Sequence, residues 1–312
     1  MVWLADDGPG PAEIYLYDGI TITKLTDNYP SRKSNPQIND KGNVIWGGRH
    51  NSRDYNIFLY DDSKITNLTK GYDISRAHIN DDGKVVWRVH NNKTGDSVIY
   101  LYDGLKVTKI PDNDTNPGSP QINDNGKVVW VGSDGSGRGI FLYNDSKVTK
   151  ISNNDSRSEK NPQINDNGDV AWLGYDDNNL GIYLYDGSKV TKISGNDTDV
   201  HGFQMNDNGK VVWWVTKGDD SGIYLYDDSK VTKISDSSYS AEPQISKNGY
   251  VVWQGESNDS EIYLYDGSTI TNLSGNYSSK NWDPQINDNG DVVWWGFDGN
   301  DYEIFLAKFT GN

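Results

Sequence analysis

The chain has 312 residues, a net charge of −16 and no cysteine. So acidic a surface repels phosphate backbones and anionic lipids, which argues against nucleic acid partners and membrane insertion. The 11 Trp and 20 Tyr residues carry too much apolar surface for an intrinsically disordered chain, and no segment is long and apolar enough to span a bilayer.

The absence of cysteine excludes disulfides and thiolate metal sites but leaves the cellular compartment open. The first ten residues, MVWLADDGPG, lack the basic and apolar regions of a signal peptide. If the protein is exported, we expect its targeting segment to be absent from this sequence.

The first predicted elements are two strands, at residues 2–3 and 14–19, followed by a third at 22–26. A repeated unit then begins at Pro36 with PQINDKG, and close copies begin after 41, 43, 42, 41, 40 and 41 residues. Self-similarity at a fixed period of this length is typical of solenoids and propellers. These later copies begin at Ala77, Pro120, Pro162, Phe203, Pro243 and Pro284.

Each unit predicts four short strands. Proline opens the first strand, and the Asn-Asp-Asn-Gly tetrad forms a tight turn into a second, β-branched strand ending in Trp, such as 127–131. IYLYDG then predicts a third strand and a second turn, and VTKIS predicts a fourth. Four antiparallel strands every forty-odd residues indicate a β-propeller blade, so we expect one all-β propeller domain over residues 1–312.

The repeated Trp of the second strand is expected to fill the space between neighbouring blades. The blade count is open between eight and seven. Eight follow if the first blade lacks its inner strand and the last its outer strand. Seven follow if residues 22–26 complete the last blade, but residues 1–19 would then expose an apolar hairpin, so the residues favour eight.

The order P-x-I-N-D-N-G-x-V-V-W, I-Y-L-Y-D-G, V-T-x-I-S resembles the TolB-type, WD-like propeller repeat. It is similar as well to the HAF-type repeats of microbial extracellular proteins, which have an I-N-x-x-G-x-V-V core. The resemblance covers nearly the whole chain and brings no catalytic motif with it. It implies a prokaryotic protein that is exported or held at the cell surface.

The loops that join strand two to strand three, and one blade to the next, vary between units and lie on one face, the top face. Aromatic side chains that the repeat does not require are predicted there, among Asp and Asn. Such side chains suit stacking on a sugar ring, although they equally suit capping of the core. The candidate ligand-binding residues are Trp214, Trp295, Tyr175, Phe297 and Trp282.

Two further sets of polar residues stand out. The first alternates with buried Ile on the first strands and is predicted to line a channel: Gln37, His78, Gln121, Gln163, Gln204, Gln244 and Gln285. The second places carboxylates beside amides near Asp134, Asp176 and Asp298, which makes a calcium site possible, although the same residues are common in turns. No other cofactor is expected.

Signals for catalysis are poor. The four His residues have no metal-binding spacing, and neither a nucleophile elbow nor a phosphate-binding loop is present, so no catalytic residue is assigned. We therefore expect a monomeric, non-catalytic extracellular or cell-surface module whose top face binds carbohydrate or a protein. Two alternatives stay open: a polysaccharide lyase or hydrolase, and a purely structural or protein-interaction module.

Overall fold

The structure is a computed structural model, and it describes residues 1–309 except 7, 9, 28–31, 50–54, 63, 70–72, 92–93, 112–115, 136, 153–158, 177–178, 196–198, 217, 237–240, 256–259 and 276–278. The chain forms two compact units, Met1–Asn154 and Asp155–Asn312, and each unit contains four antiparallel blades. Among the described residues the only helical element is a 3-10 turn, Gly218–Asp220, and no helix is long and apolar enough to cross a bilayer.

Blade 1 of the first unit has three strands, and blades 2, 3 and 4 have four each. In chain order the strands are β1 (Val2–Ala5), β2 (Glu13–Tyr17), β3 (Ile22–Lys24), β4 (Arg32–Ile38), β5 (Val44–Arg49), β6 (Tyr55–Asp61), β7 (Lys64–Asn67), β8 (Asp73–Ile79), β9 (Val85–His90), β10 (Ser97–Tyr102), β11 (Val107–Lys109), β12 (Gln121–Ile122), β13 (Val128–Ser133), β14 (Arg138–Asn144) and β15 (Lys147–Lys150).

Blades 5, 6 and 7 of the second unit have four strands each, and blade 8 has three. The strands are β16 (Lys160–Ile164), β17 (Val170–Asp176), β18 (Asn179–Tyr185), β19 (Val190–Lys192), β20 (Val200–Met205), β21 (Val211–Val215), β22 (Gly222–Asp227), β23 (Lys230–Ser235), β24 (Ala241–Ile245), β25 (Val251–Gln254), β26 (Ile262–Tyr265), β27 (Ile270–Asn272), β28 (Ser279–Ile286), β29 (Val292–Phe297) and β30 (Tyr302–Ala307).

The predicted all-β propeller of four-stranded blades is confirmed, with eight blades. Strand β3 pairs with β2, with Tyr17 opposite Ile22, so it belongs to blade 1. The seven-blade alternative, in which this strand completes the last blade, is therefore wrong. Ile14, which that alternative would have exposed, is fully buried. The assignment of residues 1–312 to a single domain stays a prediction.

The two faces of each blade carry different side chains, because side chains alternate along a strand. The Trp face carries the Trp of the second strand stacked on the aromatic residue opposite it in the third strand, with ring centroids 5.6–6.1 Å apart. The Ile/Leu face carries the aliphatic residues of the third strand, such as Ile262 and Leu264.

Within each unit, the Ile/Leu face of one blade packs against the Trp face of the next. In the first unit, Ile14 of blade 1 shares a cluster with Trp46 of blade 2. In the second, Ile262 and Leu264 of blade 7 share one with Trp294 of blade 8. The core role predicted for the repeated Trp is confirmed, since exposures are only 0–4% for Trp46, Trp87, Trp130, Trp172, Trp213, Trp253 and Trp294.

The Asn-Asp-Asn-Gly tetrad has a structural task in both units. Its first Asn side chain accepts the N–H four residues later, as Asn39 does from Asn43 at 2.8 Å, and so holds the turn closed. The amide of Asn39 then donates to the carbonyl of Asn80 in the next blade at 2.8 Å. Asn206 makes the same bond to Ser246 of blade 7 at 2.9 Å. These tetrads thus fasten their blades to the following ones.

The position of proline differs from the prediction. Pro36, Pro162 and Pro284 lie inside their strands rather than at the first residue, and the register shifts beside each of them. The preceding residue is Asn or Asp in the left-handed region, as at Asp283 with φ 49°. A bulge tolerates proline because the ladder hydrogen bond is already lost there.

The tight turn between third and fourth strands is held by an Asp carboxylate. Asp186 accepts the N–H of Lys189 at 2.9 Å and both the hydroxyl and the N–H of Ser188, at 2.8 and 3.0 Å. These bonds, the Lys189 N–H foremost, lower the pKa of Asp186 to about 2. The pKa of the equivalent carboxyl is lowered for the same reason at Asp18, Asp103 and Asp266.

We expect Trp130→Ala to lower the free energy of unfolding by about 3–5 kcal/mol, because the ring is fully buried and its removal leaves a cavity. Urea unfolding followed by circular dichroism measures the change. Leu105→Ala is the control: this side chain is 93% exposed, and its loss should change stability by less than about 0.5 kcal/mol. A similarly small effect for Trp130→Ala would contradict the core role.

The turn carboxylates predict an acid-sensitive stability. Because the pKa of Asp186 is lower in the folded state than in the unfolded state, its ionised carboxylate stabilises the folded protein. This contribution is complete above the pKa of the unfolded Asp, about 3.9, and it disappears as the pH falls towards about 2. NMR titration should place the Asp186 carboxyl near the lower value. Ser188→Ala should raise its pKa part of the way, since the backbone donors remain, whereas Ser188→Thr should leave it unchanged. A normal pKa in the unsubstituted protein would refute the account.

Candidate ligand-binding site

The Ile/Leu face of blade 8 carries a cluster of four aromatic side chains. Trp282 and Trp295 are cross-strand neighbours in β28 and β29, and their rings stack at 4.5 Å with an interplanar angle of 28°. Tyr302 of β30 lies 5.9 Å from Trp282 and presents an edge to Trp295 at 5.5 Å. Phe297 lies 5.3 Å from Tyr302, its cross-strand partner. We call these four residues the aromatic cluster.

The bulge before Pro284 fixes the orientation of Trp295. Asp283 takes a left-handed conformation with φ 49°, and its carboxylate accepts the indole N–H of Trp295 at 3.0 Å. A bond to an ionised acceptor is stronger than one between neutral groups. The indole is therefore held in place although Asp283 itself is exposed.

A tight turn joins β29 to β30 and positions the other two rings. The carboxylate of Asp298 accepts the N–H groups of Asn300 and Asp301 at 2.7 and 3.0 Å. These bonds, that from Asp301 first, lower the pKa of Asp298. Gly299 has φ +106°, a conformation that other residues rarely adopt, so the turn depends on glycine here. Phe297 and Tyr302 face each other across the turn.

The cluster remains open to solvent. Trp282, Trp295 and Phe297 are half-buried, and Tyr302 is 58% exposed. Exposed patches of contiguous large apolar side chains, rimmed by polar groups, are typical of binding surfaces. Asp283, Asp298 and Asp301 provide such a polar rim.

The structure thus brings together three of the five predicted ligand-binding residues: Trp282, Trp295 and Phe297. Trp214 lies in blade 6, where it packs against the hydrophobic cluster shared with blade 7 and stacks on His201 at 6.0 Å. Tyr175 is half-buried on β17 of blade 5. Sequence reasoning missed Tyr302, although among the other blades only blade 2 has an aromatic residue at this position of the third strand, Tyr55.

The predicted placement of Tyr175, Phe297 and Trp282 in loops is wrong. Trp282, Trp295 and Phe297 all lie in strands, on a sheet face, and so do Trp214 and Tyr175. The reason is that β28 and β29 extend beyond the repeated motif, and their added residues continue the strand alternation. The cluster is therefore a continuation of a blade face.

Three of the Gln residues predicted to line a channel bind the neighbouring blade. Gln37 donates to the carbonyl of Ala77 at 2.8 Å, and Gln163 donates to that of Phe203 at 2.9 Å. Gln204 accepts the N–H of Ile245 at 2.9 Å. His78, Gln121 and Gln244 are half-buried, and Gln285 is exposed. A channel-lining role stays a prediction for all seven.

The calcium candidates have other partners where their side chains are described. Asp134 accepts from the ammonium of Lys150 at 3.3 Å, and Asp298 holds its turn. The side chain of Asp176 lies outside the described residues. In the described part of the chain no group of three or more His, Asp or Glu side chains is placed to hold a metal ion. Calcium binding stays a prediction.

No protein-family model matches the chain, and no curated protein matches it. Solved structures do. Dipeptidyl peptidase 4 of Porphyromonas gingivalis is 15% identical, with a TM-score of 0.67 over 94% of this chain and 54% of that one. The β-propeller domain of the Trilobed protease of Pyrococcus furiosus is 14% identical, with a TM-score of 0.56 over 88% and 92%.

TolB of Acinetobacter baumannii is 16% identical, with a TM-score of 0.44 over 89% of this chain and 76% of that one. The chain spans about half the length of several matched structures, such as a puromycin hydrolase, of which it covers 52%. The propeller fold predicted from the repeat is confirmed by the Porphyromonas gingivalis and Pyrococcus furiosus structures, and similarity to HAF-type repeats stays a prediction. At these identities the solved structures show the fold alone: this chain is built as a β-propeller.

Proposed function

We propose that the protein is a non-catalytic binding module and that the aromatic cluster of blade 8 binds carbohydrate. The observation that supports this proposal is the exposure of four neighbouring aromatic rings inside a rim of carboxylates.

The chemistry of the cluster suits a sugar. A pyranose ring presents an apolar face of C–H groups and a rim of hydroxyl groups. The indole and phenol rings provide apolar area with little conformational freedom to lose on binding, and the Tyr302 hydroxyl adds a polar end. Carboxylates such as Asp283 and Asp301 accept hydrogen bonds from the hydroxyl groups of a ligand.

We further propose that the protein works outside the cell or at its surface, where polysaccharides are encountered. The resemblance to exported repeat proteins supports this location. A high net negative charge is compatible with it, because like charge keeps an exported protein soluble and away from anionic lipid.

The test is a polysaccharide and glycan array screen of the purified full chain, with calcium and with a chelator. Any glycan that binds is then titrated against Trp295→Ala and Tyr302→Ala by calorimetry. We expect each substitution to weaken binding at least tenfold, because each removes one stacking surface of the cluster. Equal binding in both buffers would show that calcium is not needed.

Trp214→Ala is the matched control, since Trp214 occupies the same repeat position in blade 6 and packs against the blade 6–7 cluster. It should lower thermal stability and leave the glycan affinity of the folded protein unchanged. If no glycan binds in either buffer, or if Trp214→Ala weakens binding while Trp295→Ala does not, the proposed site is wrong.

A further inference from the structure

An oppositely charged pair lies buried between blades 1 and 2 of the first unit. The ammonium of Lys33 in β4 lies 3.0 Å from the carboxylate of Glu13 in β2, and these side chains are 0% and 2% exposed. The hydroxyl of Thr26 donates to the same carboxylate and accepts the N–H of Ile14 at 3.0 Å. Because Ile14 packs with Trp46 of blade 2, the pair lies beside the apolar contact of the two blades.

The corresponding positions at the other blade contacts carry no such pair. Glu13 stands one residue before the buried Ile of its strand, and Lys33 stands three residues before the start of its repeat motif. At the contacts that follow within each unit, these two positions hold Asn56 with Ile74, Val98 with Pro117, Gly181 with Val200, Gly222 with Ser240, and Glu261 with Asn281. Among the contacts within the units, only that of blades 1 and 2 has opposite charges at the two positions.

The charged pair comes with a loss of hydrogen bonding at the buried Trp of blade 2. In blade 8 the residue at the position of Lys33 is Asn281, whose side-chain oxygen accepts the indole N–H of Trp294 at 3.0 Å. Lys33 offers no acceptor, and the indole N–H of Trp46 has no hydrogen-bond partner in the described part of the chain. A buried pair also loses the hydration of both charges, so uncharged residues of similar shape are often as stable in its place. Stability alone therefore does not explain the pair.

Near-identical repeats make wrong partners available to every blade. Repeat proteins characteristically misfold by joining the wrong units or by exchanging them between chains. Lys33 is the one basic residue at its position of the repeat, where the other blades have Ile74, Pro117, Glu159, Val200, Ser240 and Asn281. If blade 1 packed on blade 4, for example, Glu13 would face Pro117 in place of Lys33. A buried charge without its partner is strongly destabilising, so the wrong contact is disfavoured.

We propose that the Glu13–Lys33 pair selects blade 2 as the partner of blade 1. It acts against packing of blade 1 on any other blade, in the same chain or in a second copy, because only blade 2 supplies a cation to the buried carboxylate. The apolar faces provide the affinity of the contact and are common to the repeats. The charges supply the discrimination that these faces lack. This selection is independent of carbohydrate binding.

Refolding of the full chain from urea, followed by size-exclusion chromatography with light scattering, tests the proposal. Glu13→Lys and Lys33→Glu each place like charges in the contact, and the double variant that carries both changes restores opposite charges. Each single variant should lower at least fivefold the fraction of chains that elute as before unfolding, and the double variant should recover most of it. Lys41→Glu is the control: its ion pair with Asp82 of blade 3 is exposed, so recovery should change less than twofold.

A mixed refolding experiment tests selection directly. The Glu13→Lys protein has a Lys at both positions, and the Lys33→Glu protein has a Glu at both. When the two are refolded together, opposite charges meet only if the chains exchange blade 1. A one-to-one complex should therefore form that neither variant forms alone.

A neutral variant separates selection from stabilisation. Glu13→Gln with Lys33→Met should keep the thermal midpoint within about 4 °C, because the desolvation of both charges is lost together with their attraction. It should nevertheless give at least threefold more mispaired oligomer on refolding than the unsubstituted protein. The absence of a complex in the mixed experiment would overturn the proposal, as would a neutral variant that refolds without additional oligomer. A neutral variant too unstable to fold would overturn it as well, since the pair would then be a stabilising contact.

Discussion

The structure depends on one contact, the packing of aliphatic side chains of one blade against the buried Trp of the next. A four-stranded sheet of this length cannot bury its own apolar face, so its stability comes from neighbouring sheets. In the second unit, Ile262 and Leu264 meet Trp294 in this way. The repetition of one short sequence follows from this requirement, because every blade must offer both halves of the same contact.

The same constraint explains why the candidate site lies where it does. Trp214 and Trp295 follow the core Trp in blades 6 and 8 and occupy one position of the repeat. Trp214 packs against the cluster shared with the following blade, whereas Trp295 stays beside solvent with Trp282 and Tyr302. One residue type thus packs against a blade contact in one blade and forms a candidate binding surface in another.

Much of the polar sequence serves the backbone. The first Asn of each described tetrad closes a turn, and the Asp of the YDGS turn receives backbone N–H groups. These residues would otherwise suggest metal ligands, since carboxylates and amides recur at close spacing. Because these side chains form hydrogen bonds with the backbone, an abundance of Asp and Asn in this chain indicates turns rather than metal sites. Asp283 differs, because its carboxylate binds an indole of the aromatic cluster.

The sequence by itself determined the fold class, the four-stranded blade, the buried Trp and the preference for eight blades. These features follow from strand alternation, turn residues and period, all of which are local properties written in every repeat. It also singled out Trp282, Trp295 and Phe297. Only the tertiary structure decided that these three form one cluster, that Tyr302 joins them, and that Trp214 does not. The physical reason is that the neighbouring blade determines which side chains are buried. Because the repeats are nearly identical in sequence, the sequence does not indicate which blade face remains exposed.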